Sequence, residues 1–275
     1  MNRITLTSIG SALNALAVIS PVQAGRRILQ LFSMPRTGRL SPQDRAFLET
    51  AEWGMLQAQN LDVQYYRWEN EGPTVLLAHG WESNSARWQV LVQRLRKTNY
   101  RVIAVDAPAH GGSGGTEFNA VLYADFIAAA TEKFRPDFVI GHSVGAMALA
   151  YFLLHHPESI RKVALLAAPS ELRQITGVFG QVLGLSTRAM QSYAEQVFHK
   201  FGHTLDYFSV AEFAKSIATD CLIIHGRDDV TAPFADAERV ARNWAGGAQL
   251  VATDGLGHSQ QGEPVYHAIL KFLGT

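Results

Sequence analysis

The chain has 275 residues, of which 47% are hydrophobic and 17% are charged, and these apolar residues are enough to fill the core of one large domain. Its 24 basic and 24 acidic residues give a formal charge of zero, and no long run of like charge occurs, so nothing indicates a nucleic-acid-binding protein. The single cysteine, Cys221, excludes an internal disulfide and fits a reducing compartment, so we expect a cytoplasmic protein.

Residues 1–24 have two interpretations. They begin with one early arginine and end in Val-Gln-Ala, as a signal peptide would, and the protein would then be secreted or periplasmic. Polar residues interrupt the apolar stretch, however, and Leu6, Ile9, Leu13 and Leu16 recur at helical spacing. We therefore expect residues 1–60 to form helices packed on or beside the core, with new helices after Ser20 and Ser41, and no membrane span.

From residue 61 onward, short apolar runs alternate with helical patterns. The run over 61–68 alternates loosely between polar and apolar residues and predicts an antiparallel edge strand. Continuous apolar runs, typical of strands buried on both faces of a parallel sheet, occupy 73–80, 100–107, 136–143, 161–168, 220–226 and 248–255. The alternation predicts an α/β fold over residues 61–275, with a doubly wound, mostly parallel sheet.

One interval, about residues 170–219, breaks this rhythm. It is rich in aromatic and aliphatic side chains, too many for an exposed loop, and it predicts a short helical insertion. Two interpretations stay open. The insertion is either a lid over a substrate cleft, which we favour, or an additional layer of core.

Two stretches fit the Gly-x-Ser-x-Gly pattern of a serine nucleophile, one around Ser113 and one around Ser143. Ser113 is separated from its strand by four residues and from the next helix by further glycines, which favours a mobile loop. Ser143 follows a buried apolar run without a gap and opens directly into a helical pattern. That strand–turn–helix context is the one that a nucleophile elbow requires, so we expect the nucleophile at Ser143.

The small residues around Ser143 have a predicted role of their own. Gly141 and Gly145 allow the helix to lie close to the strand, so that the turn is sharp. Val144 then has its backbone N–H at a helix N-terminus, directed to the position where an oxyanion would form.

A serine hydroxyl needs a base and an orienting acid to become a nucleophile. Both residue types follow strands further along the chain: Asp228 and Asp229 come after the run 220–226, and His258 comes after 248–255. Asp254 is a weaker third candidate for the acid.

Residues 61–275 resemble the α/β-hydrolase superfamily. The resemblance lies in four motifs in the family's order: His-Gly-Trp at 79–81, Gly-His-Ser-Val-Gly at 141–145, His-Gly-Arg-Asp-Asp followed by Pro233, and Gly-Leu-Gly-His at 255–258. It implies that Ser143 is the nucleophile, Asp229 the acid and His258 the general base. The family usually has its acid three residues after the glycine, which favours the second of the two adjacent aspartates. The resemblance also implies a second oxyanion donor, the backbone N–H of Trp81.

These residues predict a serine hydrolase that cleaves a small-to-medium apolar carboxylic ester through an acyl-enzyme on Ser143. Thioesterases, lactonases, acyltransferases and carbon–carbon bond hydrolases use the same triad. A non-catalytic member of the fold that binds a small apolar ligand is the alternative from another class. No convincing metal-ligand spacing or phosphate-binding loop occurs, so we expect neither a metal nor an organic cofactor, and a small molecule rather than nucleic acid as the partner.

Overall fold

The computed structural model describes residues 3–38 and 40–274. The strands are β1 (Glu52–Ala58), β2 (Leu61–Trp68), β3 (Thr74–Ala78), β4 (Arg101–Val105), β5 (Phe138–His142), β6 (Lys162–Leu166), β7 (Asp220–Gly226) and β8 (Ala248–Thr253). The α-helices are α1 (Arg3–Ile19), α2 (Pro21–Ser33), α3 (Pro42–Leu48), α4 (Gln89–Lys97), α5 (Ala120–Phe134), α6 (Val144–His155), α7 (Leu172–Leu183), α8 (Thr187–Phe201), α9 (Val210–Phe213), α10 (Phe234–Asn243) and α11 (Glu263–Leu273).

The chain divides into two compact units. One comprises Met1–Met34 and Glu171–Ser209, and the other comprises Pro35–Ser170 and Val210–Thr275. The first unit is helical, and the second contains the whole sheet.

The sheet of the second unit has eight strands in the order β1-β2-β4-β3-β5-β6-β7-β8. Strands β3 to β8 pair in parallel, whereas β1 and β2 are antiparallel to their neighbours. All residues of β3 and β5 are buried, because helices cover both faces of a doubly wound sheet. The predicted α/β fold is confirmed, and each of the six parallel strands lies within its predicted run.

The antiparallel side of the sheet differs from the prediction. The sequence did not predict β1. Because all of β1 pairs with residues 61–67 of β2, the edge strand is β1 and not β2. Gln59 and Asn60 connect the two strands, with φ of 50° and 59°. Two successive left-handed residues make the tight hairpin turn that matches strand twist. The strand was missed because Glu52–Ala58 mixes exposed and half-buried residues and contains no continuous apolar run.

The N-terminal helices form as their apolar spacing predicts, and Pro21 and Pro42 each begin one. The caps differ: Ser41 forms a reciprocal capping box with Asp44, whereas the Ser20 side chain makes no capping bond. The prediction of helices over residues 1–60 is wrong at its end, where the chain forms β1.

The insertion is helical, as predicted, and its helices pack with the N-terminal helices in the first unit. Phe32 of α2 makes edge-on contacts with Phe179 and Tyr193, with ring centroids 5.2 and 5.9 Å away. Asn14 of α1 binds the turn between α7 and α8 by donating to Gly184 O and accepting from Ser186 N. Two aromatic residues of the insertion thus pack against an N-terminal helix within this unit, and the lid role stays a prediction. No helix among residues 3–38 and 40–274 is both long and apolar enough to cross a bilayer.

Candidate active site

Ser143 lies in a sharp turn between the end of β5 and the start of α6. Its φ of 54° and ψ of −124° are strained for a residue with a side chain, and such strain is typical of functional turns. The surrounding backbone holds this conformation. Ser143 N donates to Leu166 O at 2.8 Å, and Ser143 O accepts from Ala146 N at 2.9 Å.

Gly145 allows α6 to begin this close to the sheet. A Cβ atom at this position would lie 2.3 Å from His79 O and 2.6 Å from Ala78 O, both of them backbone atoms at the end of β3. Only glycine fits here, which is the role that the sequence predicted for this residue.

The structure brings Ser143, His258 and Asp229 into one chain of hydrogen bonds. His258 Nε2 lies 2.8 Å from Ser143 Oγ, and His258 Nδ1 lies 2.7 Å from Asp229 Oδ2. A carboxylate next to Nδ1 fixes the proton on that nitrogen, so Nε2 is free to accept the serine proton. The residues follow β5, β7 and β8, whose carboxyl ends lie along one edge of the parallel sheet.

Asp229 is buried, and both of its carboxylate oxygens have hydrogen-bond partners. Oδ1 accepts from Thr231 N at 2.8 Å and from Ala232 N at 3.0 Å, and Oδ2 lies 3.3 Å from His225 Nε2 in addition to its contact with His258. Burial alone would raise the pKa of Asp229, but the hydrogen bonds from His225, His258 and these two backbone N–H groups hold it well below its usual range. Asp229 is therefore a carboxylate at neutral pH. Nothing in the sequence predicts this contact between His225 and the acid.

Three side chains hold the loop that carries His258 by binding its successive carbonyl oxygens. Gln260 Nε2 donates to Gly257 O at 2.5 Å, His142 Nε2 to His258 O at 2.8 Å, and Arg87 Nη2 to Ser259 O at 2.8 Å. The imidazole is thus positioned through its backbone as well as through Asp229.

Two of these side chains come from other parts of the sheet unit. Burial holds the pKa of His142 well below its usual value, so its ring is neutral and has its proton on the nitrogen that donates. Burial also lowers the pKa of Arg87 to about 10, which leaves the guanidinium charged at neutral pH. In this geometry His142 is a buried hydrogen-bond donor to the loop. The role of Arg87 has no signal in the sequence.

The two predicted oxyanion donors are the backbone N–H groups of Trp81 and Val144. Within the described part of the chain neither N–H has a hydrogen-bond partner. The turn that contains Trp81 approaches the serine closely, because a Cβ atom at Gly80 would lie 3.0 Å from Ser143 Cβ. His110 supports the same turn, since its Nε2 accepts from Glu82 N at 2.9 Å.

The remaining candidates lie outside this hydrogen-bonded chain. Ser113 Oγ donates to Asp106 O at 2.7 Å and accepts from Gln64 N at 2.9 Å, so Ser113 is a buried link between a loop and a strand. Asp228 is exposed and accepts from Gly257 N at 3.3 Å. Asp254 is exposed and lies 3.8 Å from the Arg227 guanidinium. Residues 3–38 and 40–274 contain no group of three or more metal-ligating side chains that could hold a metal ion.

The sequence is similar to those of several known proteins. A family model described as alpha/beta hydrolase fold matches residues 73–184. The pimeloyl-(acyl-carrier protein) methyl ester esterase of Vibrio vulnificus is 24% identical over 145 residues, which are 52% of this chain and 54% of that protein, so the chain spans about half the length of this relative. The bifunctional esterase/perhydrolase DCH of Acinetobacter calcoaceticus is 22% identical over 267 residues, which cover 78% of this chain and 96% of that protein.

Solved structures share the fold of this chain. The structure of Est1E from Butyrivibrio proteoclasticus with ferulic acid bound matches with a TM-score of 0.66 and 18% identity, covering 80% of this chain and 97% of that one. At this identity the match establishes the fold alone. The chain therefore has the α/β-hydrolase fold, and over the matched residues its sequence is similar to members of the α/β-hydrolase superfamily.

Proposed function

We propose that the protein is a serine hydrolase that cleaves a small-to-medium apolar carboxylic ester through an acyl-enzyme on Ser143. The observation that carries this proposal is the continuous hydrogen-bonded chain from Ser143 Oγ through His258 to Asp229. No residue of the triad is lost, which argues against a non-catalytic ligand-binding member of the fold.

In the first step, His258 Nε2 takes the proton of Ser143 Oγ while the oxygen attacks the ester carbonyl. The carbonyl π electrons move to oxygen, and the backbone N–H groups of Trp81 and Val144 bind the resulting oxyanion. When the tetrahedral intermediate collapses, the bond to the leaving alcohol breaks and His258 gives its proton to that oxygen. The ionised Asp229 stabilises the imidazolium that exists between these two transfers.

In the second step, water replaces the alcohol. His258 takes a proton from the water as its oxygen attacks the acyl-enzyme, and the same two N–H groups bind the second oxyanion. Collapse releases the carboxylic acid and returns the proton to Ser143 Oγ. The strained backbone of Ser143 supports this role, because it accompanies a hydroxyl that lies 2.8 Å from the imidazole.

The ester assignment rests on two observations. The sequence relatives are named as esterases, one of them acting on the methyl ester of a pimeloyl group bound to acyl-carrier protein. In the turn next to the nucleophile, the Trp81 ring packs edge-on against Phe118 and His110, with centroids 5.3 and 5.6 Å away, and we infer that this aromatic cluster contacts an apolar acyl or alcohol group.

The test is hydrolysis of p-nitrophenyl esters from acetate to palmitate by wild type, Ser143→Ala and Ser113→Ala, each normalised to folded protein. We expect activity in wild type and Ser113→Ala and none in Ser143→Ala, with a chain-length optimum that reports the size of the pocket. Thioester, lactone, acyl-transfer and diketone substrates, tested in the same way, identify the finer class. No turnover of any of these by folded wild type, together with binding of apolar ligands, would favour the non-catalytic alternative.

We also propose that residues 1–24 stay in the mature protein and that it acts in the cytoplasm. The contacts of Asn14 with Gly184 and Ser186 support this, because removing α1 would leave that turn without its partner. The intact mass of the protein isolated from its own cells tests the proposal, and a mass that lacks these residues would contradict it.

A further inference from the structure

The helical unit exposes apolar side chains at the junction of α1 and α2. Val18 and Ile19 end α1, and Val22 lies in the first turn of α2, with exposed fractions of 63%, 82% and 47%. Single exposed apolar residues are ordinary, whereas several next to each other mark an interaction surface. We call these three residues the corner patch.

The backbone under the corner patch is fixed. Ser20 N donates to Leu16 O at 2.7 Å, and the Arg188 guanidinium donates to Ala17 O at 2.9 Å and to Val18 O at 3.5 Å. These bonds satisfy carbonyl groups that a helix end usually leaves to water. The helix therefore persists to Ile19 and holds the apolar side chains toward solvent.

Positive charge follows the corner patch directly. Arg26 and Arg27 are exposed one turn further along α2, and Arg26 shares a helix face with Val22 because the two are four residues apart. Met1–Met34 contains three arginines and no acidic residue, in a chain whose 24 basic and 24 acidic residues balance overall. The rest of the helical unit, Glu171–Ser209, has three basic and three acidic residues. The excess charge of this unit therefore lies on the segment that carries the patch.

We propose that the corner patch docks the protein onto an anionic phospholipid surface. Val18, Ile19 and Val22 enter the boundary between headgroups and acyl chains, while Arg26 and Arg27 contact lipid phosphates. Apolar side chains beside exposed arginines, on helices that do not span the bilayer, are the pattern of interfacial docking. The patch is small, so binding is reversible and depends on anionic lipid. This inference does not rest on the proposed esterase activity.

The test is co-sedimentation of the full chain with vesicles. One set contains phosphatidylcholine alone, and in the other phosphatidylglycerol replaces about one third of it. We expect wild type to partition onto the anionic vesicles about 25-fold more strongly than onto the neutral ones, and the difference to shrink at high salt. Arg26→Gln/Arg27→Gln should weaken anionic binding by about fivefold per arginine. Ile19→Ser/Val22→Ser should weaken it without removing the salt dependence.

Matched controls lie on α4 in the other unit. Val90 is 42% exposed, and Arg96 and Lys97 are adjacent exposed cations, so Val90→Ser makes a similar apolar-to-polar change elsewhere and Arg96→Gln/Lys97→Gln removes two charges elsewhere. These variants should bind like wild type. Equal binding of wild type to both vesicle types, or equal losses in the controls, would overturn the proposal. A dimer in light scattering that Ile19→Ser/Val22→Ser dissociates would also overturn it, because the patch would then contact a second copy.

Discussion

Gly145→Ala perturbs the candidate site through its backbone without touching a reacting group. The new Cβ atom would lie 2.3 Å from His79 O, and the shortest ordinary contact is 3.4 Å, so α6 has to move by about 1 Å from the end of β3. Ser143 Oγ and the N–H of Val144 move with the helix. Because a misplacement of about 1 Å can cost about 100-fold in rate, we expect kcat to fall by about that factor. Overpacking of this kind should also lower the free energy of unfolding by about 1–3 kcal/mol.

The assay pairs steady-state hydrolysis of a p-nitrophenyl ester with urea unfolding. The matched control is Gly177→Ala in α7, where a Cβ atom would meet no atom within 4 Å. That variant should keep its kcat, and its free energy of unfolding should rise by about 0.5–1 kcal/mol, because alanine has a higher helix propensity than glycine. Wild-type kcat in Gly145→Ala, with unchanged stability, would refute the assignment of this glycine to the close approach of helix and sheet.

Three further predictions concern the groups around His258. Asp229→Asn should lower kcat by about 10⁴-fold, because the imidazole tautomer is no longer held. Asp228→Asn should keep a kcat near that of wild type. Equal losses of kcat in the two variants would contradict the choice of Asp229 as the acid. The fold depresses the pKa of Asp229, so its ionised form stabilises the folded state above the ordinary carboxyl pKa of about 4, and that stability is lost as the pH falls. Between about pH 5 and about pH 3, urea unfolding should therefore show a steeper loss of stability in wild type than in Asp229→Asn. Equal losses of stability in the two proteins would be evidence against a stabilising role of the ionised Asp229. His142→Leu removes the donor to His258 O and should lower kcat about tenfold with little change in KM, while His142→Gln, which keeps an N–H donor, should recover most of it. If both variants were equally slow, the ring itself would be required rather than its hydrogen bond.

The parallel half of the sheet and the turn that contains Ser143 could be predicted because local patterns carry them, whereas the choice of Asp229 over Asp228 came from the resemblance to the α/β-hydrolase superfamily. Strands buried on both faces are continuous apolar runs, and a serine that follows such a run and opens a helix has few other structural contexts. The antiparallel edge of the sheet was harder to predict, because β1 is half-exposed and contains no apolar run. The turn that joins β1 to β2 consists of Gln59 and Asn60 and contains no glycine to indicate it.

The contacts that support the site could not be predicted, because they join distant positions. His142 donates to a residue 116 positions away, and Arg87 to one 172 positions away. Neither residue type indicates such a contact by itself. The aromatic residues of the insertion were noticed, but a sequence does not reveal that Phe179 and Tyr193 pack against Phe32 of an N-terminal helix.

The central claim is that Ser143 is a nucleophile activated by His258, and covalent labelling with a fluorophosphonate tests it most directly. Intact-mass and peptide analysis should find one label per chain, on the peptide that contains Ser143. Ser143→Ala should remain unlabelled, and His258→Gln should label far more slowly. A folded wild-type protein that takes up no label, or takes it up on Ser113 or another serine, would contradict the claim.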